Sequence, residues 1–526
     1  MGYIKVLDCT LRDGGYCNEW NFGYDNIKKI IKNLIEANID IIECGFITNK
    51  ISSYNHDISR FRKFEDCSEV VNDQTKSQLF VCMINYGEYS LCEIPPQEIT
   101  KLDGIRIAFH KKNASEALDF CRGIKAKGYK IFIQAMVSLN YTDKEFIDLI
   151  QTVNQLDPFA FYIVDSFGVM KRKDLIRLFY MVEHNLNENI AIGYHSHNNM
   201  QLSYSNAQAI VDIRSKHNII IDSSIFGMGR GAGNLNTELF VEYLNDNFNA
   251  NYELKPLLNV IDEILNSFYH EKYWGYSLPN YLSAKHNTHP NYASYLDSKK
   301  TLTVENMDEI FYMMEDSKRS SFDKEYIEQL YVKYLEIGNS KEEHLNELKN
   351  RLNEKSVLII APGRSSIDEK DKIINLVNQE NLMTISINFN YGVIDTDFIF
   401  ISNLRRFREL DEAKYNKCIV TSNIQADNVY LRTNYSALLN DIDTIRDNAG
   451  MMLIKFLYNM DIKKIYIAGL DGYSVDPTQN FIDQKMNHYT QKSLYESMNM
   501  GMIKFLSEYK NKINIEFITT PKHIII

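Results

Sequence analysis

Short apolar, β-branched runs alternate with longer segments of helical period from the first residues to about residue 250. Runs of this length predict strands buried on both faces, and the segments between them place apolar residues at i, i+3, i+4 and i+7, as helices covering a sheet do. The eight predicted strands span residues 4–8, 39–46, 79–84, 104–109, 129–135, 160–165, 191–195 and 219–225. The alternation predicts an α/β fold that begins with an N-terminal (β/α)8 TIM barrel; a doubly wound open sheet is the alternative.

Three further segments follow the predicted barrel, to which we assign residues 1–250. Residues 251–300 are rich in aromatic side chains and predict a helical extension of the barrel. Residues 301–355 are rich in Glu, Lys and Asn with helical spacing, which is typical of a charged helical connector. A strand, a turn and a helix open at "SVLIIAPGRSSI", so residues 356–526 predict a smaller Rossmann-like α/β domain.

Length and charge narrow the functional classes. A single hydrophobic core stops growing near ~250–300 residues. A chain of 526 residues is therefore expected to form two domains. The net charge of −11 disfavours nucleic acid as a partner, because phosphate backbones bind clustered Lys and Arg. The sequence shows no secretory leader and no run of ~18 apolar residues, which predicts a cytoplasmic protein without a membrane span. Its eight cysteines form no CxxC pair and are interpreted as packed thiols; the oligomeric state stays open.

The candidate chemistry lies where predicted strands end, which is the face of a TIM barrel that carries active sites. Arg12 and Asp13 follow the first strand. His195 and His197 end the seventh, and the alternation of side chains along a strand directs both imidazoles to one side. One carboxylate and two imidazoles suit a divalent ion with open positions for a substrate, although two structural histidines would also give an HxH pattern.

A glycine-rich segment, "GMGRGAGNLNTE", follows the eighth predicted strand. Gly229, Gly231 and Gly233 allow the backbone to approach a ligand closely, which predicts an anion-binding loop; an ordinary surface loop is the alternative. Asn234, in the same segment, is a candidate for contact with the substrate or the metal, or a turn-forming asparagine.

Three motifs together carry a family resemblance: "TLRDGGY", "GYHSHNNMQLSYSNA" and "GMGRGAGNLNTE". In order, spacing and strand position they resemble the metal-dependent aldolase and acyltransferase barrels, which include 4-hydroxy-2-oxovalerate aldolase, HMG-CoA lyase, isopropylmalate synthase and the pyruvate carboxyltransferase domain. The second and third motifs are more similar to the 4-hydroxy-2-oxovalerate aldolase branch.

The resemblance implies a metal centre and an enolate-stabilising cation. It assigns Asp13, His195 and His197 to a divalent metal ion, for which Mn²⁺ is expected and Co²⁺, Mg²⁺ and Zn²⁺ are alternatives. It assigns Arg12 to the enolate that forms when the C–C bond of a 2-oxo acid breaks, a role that needs a fixed cation in a dry site.

One position departs from the aldolase branch, which carries a histidine two residues after its "RDG" as the base for the substrate hydroxyl. This chain has Tyr16 there, and a tyrosine, with an ordinary pKa near ~10, is a weak base at neutral pH. Tyr16 is therefore a candidate catalytic residue as proton donor or positioner, and His289 or His110 are alternatives for the base.

Two more acidic residues end predicted strands. Glu43 ends the second and Asp165 the sixth, and each could support the metal shell, orient Arg12 or cap the following helix. In the C-terminal domain, which faintly resembles sialyltransferase-like and motility-accessory domains, a nucleotide sugar is the candidate ligand, with Asp471 and His488 as chemical candidates.

These features predict a metal-dependent aldolase, a carbon–carbon lyase that cleaves or forms a 4-hydroxy-2-oxo acid through a pyruvate enolate. Its partners would be a small 2-oxo acid and an aldehyde. If the C-terminal domain binds a nucleotide sugar, the expected aldehyde is a sugar derivative and the expected process is surface-polysaccharide synthesis. One alternative is an acyl-CoA lyase or Claisen-type acyltransferase on the same barrel. Another is a nucleotide-sugar-binding protein or glycosyltransferase with a catalytically altered barrel.

Overall fold

A computed structural model describes residues 2–51, 55–71, 77–299, 302–335, 342–353, 355–380, 382–486 and 492–525. The chain divides into two compact units. The barrel unit comprises Met1–Asp297 and Met314–Phe322, and the C-terminal unit comprises Ser298–Met313 and Asp323–Ile526. Among the described residues, no helix combines the length and the apolar character that crossing a bilayer requires.

Eight parallel strands close on themselves in the barrel unit. They are β1 (Ile4–Asp8), β2 (Ile41–Ile47), β3 (Leu79–Asn85), β4 (Gly104–Phe109), β5 (Lys130–Ala135), β6 (Ala160–Asp165), β7 (Ala191–Ser196) and β8 (Ile219–Ser223). Each strand pairs with its neighbours in chain order, and β1 pairs with both β2 and β8, which closes the barrel. A two-residue strand, Arg60–Phe61, adds to β2. The predicted TIM barrel is confirmed.

Helices follow the strands on the outside of the barrel. They span Tyr24–Glu36, Phe64–Glu69, Ala114–Lys125, Asp143–Leu156, Arg172–Asn185, Ser203–Asp212 and Thr237–Phe248. After β3 the chain, described throughout this stretch, forms two 3-10 turns instead, Leu91–Glu93 and Gln97–Ile99. Alternation of strand and helix is therefore interrupted once, at the third connection.

Alternate residues of each strand pack against different layers. Leu7 and Tyr162 belong to a buried cluster made almost entirely of strand residues, whereas the adjacent Val6 and Ile163 pack into the cluster that includes the helices. Because successive side chains point to opposite faces of a strand, a strand in a barrel covered by helices must be apolar on both. This is why the strands read as continuous apolar runs.

Helices also follow β8 and continue into the C-terminal unit. They span Leu254–Val260, Asn266–Glu271, Leu278–Lys285, Pro290–Ser298, Val304–Tyr312, Lys324–Leu335 and Glu342–Leu352. The segments assigned from sequence to an extension and a connector are mainly helical where they are described. Residues 300, 301, 336–341 and 354, which fall in them, lie outside the described residues.

A second parallel sheet forms the C-terminal unit. Its strands are β9 (Ser356–Ile360), β10 (Leu382–Ile387), β11 (Phe398–Ile401), β12 (Cys418–Thr421), β13 (Leu431–Thr433), β14 (Lys464–Ala468) and β15 (Asn514–Phe517), in the order β13-β12-β11-β10-β9-β14-β15. Its helices span Ser365–Asp368, Lys370–Gln379, Leu404–Arg408, Tyr435–Leu438, Ala449–Asn459 and Lys492–Lys510. The order reverses between β9 and β14, as in doubly wound α/β sheets, and the predicted second α/β domain is confirmed.

A buried arginine ties three strands of the barrel together. Arg106 on β4 has no solvent exposure; it forms an ion pair with Glu43 of β2 (2.8 Å) and another with Asp222 of β8. Its guanidinium also lies 5.1 Å from the ring centre of Tyr162. Charges buried this deeply persist only when each is paired, so the three residues depend on one another.

Replacing Arg106 with Met should lower the free energy of unfolding of the barrel unit by about 3–5 kcal/mol, because buried Asp222 loses its arginine and Glu43 keeps only Arg12 as a cationic partner. Urea unfolding followed by tryptophan fluorescence measures this unit selectively, since both tryptophans, Trp20 and Trp274, lie in it. The matched control is Arg122→Met, which removes a surface pair with Asp119 and should cost no more than about 1 kcal/mol. Equal losses in the two variants would contradict the interpretation.

Candidate active site

The turn after β1 carries the first site residues. Two short helices, Thr10–Asp13 and Gly15–Asn18, follow the strand. Gly14 has ordinary helical dihedrals, but a Cβ there would lie 2.3 Å from the Thr10 carbonyl oxygen, and a Cβ at Gly15 would lie 2.1 Å from the Trp20 ring. The glycines are therefore required by close packing, which holds the turn rigidly.

Arg12 is fixed by two carboxylates. Its Nε donates to Glu43 Oε2 (2.9 Å), and its Nη1 donates to Asp13 Oδ1 (2.9 Å). The indole Nε1 of Trp20 donates to the Arg12 carbonyl oxygen (2.8 Å), so the backbone is anchored too. The remaining nitrogen, Nη2, is buried and has no hydrogen-bond partner among the described residues. Arg12 thus offers one oriented donor to a ligand.

Asp13, His195 and His197 form a cluster that could hold a metal ion. Their candidate ligand atoms all lie within 4.8 Å of one another, and all three residues are buried. Asp13 Oδ2 lies 3.9 Å from His195 Nε2 and 3.6 Å from His197 Nε2, and it has no hydrogen-bond partner among the described residues. A buried carboxylate oxygen of this kind, facing two imidazole nitrogens, fits a divalent cation with mixed oxygen and nitrogen ligands.

The electrostatic environment keeps this donor set in the forms that bind cations. Burial by itself would raise the pKa of Asp13, but Arg12 and the two imidazoles outweigh it and hold the pKa well below its usual range. Burial lowers the pKa of His197 to about 3, and nearby Arg230 adds to the effect. A charged carboxylate and a neutral imidazole are the species that ligate metals.

Asp222 orients His195. Its Oδ2 lies 3.0 Å from His195 Nδ1, an arrangement that puts the ring proton on Nδ1 and leaves the Nε2 lone pair facing Asp13. Burial would raise the pKa of Asp222, but Arg106 and His195 outweigh it, so the pKa is lowered and the carboxylate stays charged. The Arg106 network described above thus reaches the cluster on two sides, through Asp222 and through Glu43.

Glu43 and Asp165, the two acidic residues predicted at strand ends, have different partners in the structure. Glu43 contacts Arg12 and Arg106 and so orients the arginine, one of the roles considered from the sequence. Asp165 accepts hydrogen bonds from the Val169 and Met170 amides (2.9 and 3.0 Å), which makes it the cap of the turn after β6. Burial raises the pKa of Asp165 to about 6 in spite of these bonds.

The glycine-rich loop packs beside the cluster. Asn234 donates from Nδ2 to the Met228 carbonyl oxygen (3.1 Å), and its Oδ1 is buried without a partner among the described residues. Gly231 and Gly233 have φ values of +67° and +81°, which L side chains rarely adopt. A Cβ at Gly229 would lie 2.2 Å from Asn234 Nδ2. All three predicted glycines are therefore required by the loop itself.

Tyr16 lies against an arginine of this loop. Its ring makes an edge contact with Trp20 (centres 4.7 Å apart), and the Arg230 guanidinium lies 5.2 Å from the ring centre. The Tyr16 hydroxyl makes no hydrogen bond to any described residue. Arg230 Nη1 in turn lies 3.4 Å from His289 Nε2, so the segment after the barrel reaches the site.

The environment of His289 defines its protonation. The amide of Asn291 faces His289 Nδ1 (3.2 Å) and Arg230 Nη1 faces Nε2 (3.4 Å), so a donor approaches each ring nitrogen and the neutral ring can accept from only one of them. Burial lowers the pKa of His289 to about 2, with Arg230, His110 and His197 adding to the effect. The ring is therefore uncharged at neutral pH.

Three residues of the site were missed by sequence reasoning. Arg106 and Asp222 were passed over because they lie inside the apolar runs "GIRIAF" and "IIIDS". A charged residue within a strand that is otherwise buried is itself a signal, since such a charge needs a buried partner. Arg230 lies within the loop motif "GMGRGAGNLNTE". The glycines and Asn234 of that motif, but not its arginine, are predicted from the sequence to contact a ligand.

Comparison with known proteins identifies similar sequences. The HMGL-like family model matches residues 104–264. A 4-hydroxy-2-oxovalerate aldolase of Geobacillus genomosp. 3 is 26% identical over 243 residues, which is 46% of this chain and 70% of that protein. Another, of Carboxydothermus hydrogenoformans, is 24% identical over 264 residues, or 50% of this chain and 77% of that protein.

Among solved structures, the N-terminal domain of a candidate aldolase from Bacteroides vulgatus is 26% identical, with a TM-score of 0.48. The match covers 57% of this chain and 98% of that domain. The matched family segment runs from β4 to the helices after β8 and includes both histidines of the cluster. The N-terminal barrel of this chain is therefore similar in sequence to HMGL-like proteins and to 4-hydroxy-2-oxovalerate aldolases.

Proposed function

We propose that this protein is a divalent-metal-dependent aldolase that cleaves or forms a 4-hydroxy-2-oxo acid through a pyruvate enolate. The observation that carries the proposal is the cluster of Asp13, His195 and His197 beside the unpaired Nη2 of Arg12. The names of the relatives, 4-hydroxy-2-oxovalerate aldolases, favour an aldolase over an acyl-CoA lyase on the same barrel.

In this proposal the buried cluster holds the ion, which when bound supplies Lewis-acid polarisation of the keto oxygen. Arg12 donates from Nη2 to the oxygen that gains negative charge as the C–C bond breaks. Glu43 and Asp13 hold the guanidinium in place before the charge develops, so little reorganisation accompanies the reaction.

When the C–C bond forms, the aldehyde oxygen becomes the substrate hydroxyl and gains a proton, and we infer that the Tyr16 hydroxyl donates it; in cleavage the Tyr16 phenolate takes the proton back. Its hydroxyl is uncommitted among the described residues, and its ring is held between Trp20 and Arg230. His289 is a poor base because its pKa is lowered to about 2. Burial also lowers the pKa of His110, so His110 too is a weaker base than an exposed histidine.

The nucleotide-sugar role of the C-terminal unit stays a prediction, and with it the link to polysaccharide synthesis. At the turn after β9, the Ser365 amide donates to Asp471 Oδ2 (2.8 Å). A phosphate at this amide would have to displace that carboxylate, which is the reason to seek a nucleotide elsewhere in this unit. His488, the other candidate there, lies outside the described residues.

Enolate formation can be tested without knowing the aldehyde. The metal-loaded protein should catalyse deuterium incorporation into the methyl group of pyruvate in D₂O, measured by mass spectrometry after quenching. A chelator should abolish exchange, and Asp13→Ala should reduce it by at least about 10²-fold, since it removes both a ligand and the partner of Arg12. Asp148→Ala, at an exposed position on the helix Asp143–Leu156, is the control and should leave exchange unchanged. Exchange that survives both chelation and Asp13→Ala would contradict the proposal.

Tyr16→Phe tests the proton transfer. With 4-hydroxy-2-oxovalerate as substrate, kcat for cleavage should fall about 10²–10³-fold, whereas deuterium exchange into pyruvate should persist, because exchange involves no substrate hydroxyl. Tyr276→Phe, which alters a tyrosine with 57% exposure, should change neither rate. If His289→Asn lowers kcat more than Tyr16→Phe does, the assignment of the transfer to Tyr16 is wrong.

A further inference from the structure

Arg230 differs from the two other arginines of the site because no carboxylate of the described residues forms an ion pair with it. Arg12 and Arg106 each contact two carboxylates within 3 Å. No carboxylate of the described residues lies within ion-pair distance of Arg230, whose nearest polar contacts are His289 Nε2 and the Ser166 carbonyl oxygen, both at 3.4 Å. Its Nε is buried and has no hydrogen-bond partner among the described residues. The charge is therefore available to a ligand.

The loop around Arg230 adds further donors. The backbone amides of Gly229, Arg230 and Gly231 donate to none of the described residues, whereas the next amides, of Ala232 and Gly233, donate to Asn199 Oδ1 (3.0 Å) and the Arg230 carbonyl oxygen (3.1 Å). Consecutive unpaired amides beside a guanidinium are a combination that binds carboxylate and phosphate groups. The feature thus favours an anionic ligand over a neutral one.

The position of Arg230 indicates which part of the substrate it faces. It stacks on Tyr16, to which we assign the proton of the hydroxyl, and its Nη1 lies next to Nε2 of His289. The hydroxyl of a 4-hydroxy-2-oxo acid derives from the aldehyde, whereas Arg12 and the metal cluster bind the pyruvate half. Arg230 therefore lies on the aldehyde side of the site.

We propose that Arg230 binds an anionic group, a carboxylate or a phosphate, on the aldehyde partner and so determines which aldehydes the enzyme accepts. The proposal rests on the aldolase function above. In this proposal the charge of Arg230 serves substrate recognition, because a fixed cation binds a charged aldehyde more tightly than its neutral counterpart.

Matched pairs of aldehydes test this, each condensed with pyruvate by the metal-loaded enzyme. One pair is succinic semialdehyde and butanal; the other is glyceraldehyde 3-phosphate and glyceraldehyde. Arg230→Gln should lower kcat/KM for the charged member of at least one pair by about 10-fold or more, and for both neutral members by less than about 3-fold. The pair that responds identifies carboxylate or phosphate. Arg230→Lys, which keeps the charge, should restore part of the loss.

Lys272→Gln is the control variant. It removes an exposed positive charge whose Nζ lies 3.2 Å from the backbone carbonyl oxygen of Tyr16, so it matches the change in net charge and leaves every side chain of the site in place. It should leave the preference for charged aldehydes unchanged. An equal loss for charged and neutral aldehydes in Arg230→Gln, or a loss confined to deuterium exchange into pyruvate, would overturn the proposal.

A binding measurement separates this proposal from the aldolase function. Trp20 contacts Tyr16 edge-on, so tryptophan fluorescence should report succinate or inorganic phosphate bound beside Arg230, whether or not any reaction occurs. Arg230→Gln should weaken this binding at least about 10-fold, and Lys272→Gln should not. If Arg230→Gln leaves anion binding unchanged, the anion site is wrong. If the wild-type protein binds the anion but does not catalyse deuterium exchange into pyruvate, only the aldolase function is refuted.

Discussion

The buried ion network centred on Arg106 is the constraint on which the barrel site depends. Arg106 neutralises Glu43 and Asp222 inside the barrel, where neither carboxylate could stay charged alone. Those two carboxylates then hold the groups in front of them, since Glu43 binds Arg12 and Asp222 binds the Nδ1 of His195. One cation without solvent exposure thus sets the position of both a guanidinium and an imidazole.

This layered arrangement explains why the site is rigid before a ligand arrives. Arg12 and His195, two of the residues that would touch a ligand, each have another polar atom bonded to a carboxylate of the Arg106 network, Glu43 and Asp222 respectively. Asp13 Oδ2, Arg12 Nη2 and His197 Nδ1 are buried without a hydrogen-bond partner among the described residues, and the first two are the atoms that would meet an ion and a developing oxyanion. Fixed, partly dehydrated charges of this kind stabilise a transition state without the cost of reorienting solvent.

The outer side of the site has a different construction. There the chain brings Tyr16 from the first turn, Arg230 from the loop after β8 and His289 from the helices beyond the barrel into one contact group. These residues contact one another through ring faces and long polar contacts rather than through ion pairs. A barrel scaffold with a fixed inner network can therefore vary its outer residues, and with them its substrates, without loss of the inner charges.

The sequence alone determined the barrel and indicated the three residues that could hold a metal ion. Buried strands must be apolar on both faces, so the run at residues 160–165 predicts β6 with its observed bounds, and residues 39–46 predict β2 to within two residues. Asp13, His195 and His197 were found because a barrel places its strand ends at one face, whatever their separation in the chain.

Only the tertiary structure decided the partners of the buried charges and the outer side of the site. Arg106 and Asp222 stand in apolar runs, and nothing in the sequence says that they meet across the barrel. Tyr16, Arg230 and His289 are far apart in the chain, and their contact depends on how the last helices pack. A residue's place in a strand follows from local pattern, but the partner of a charge follows from three-dimensional packing, which no local pattern contains.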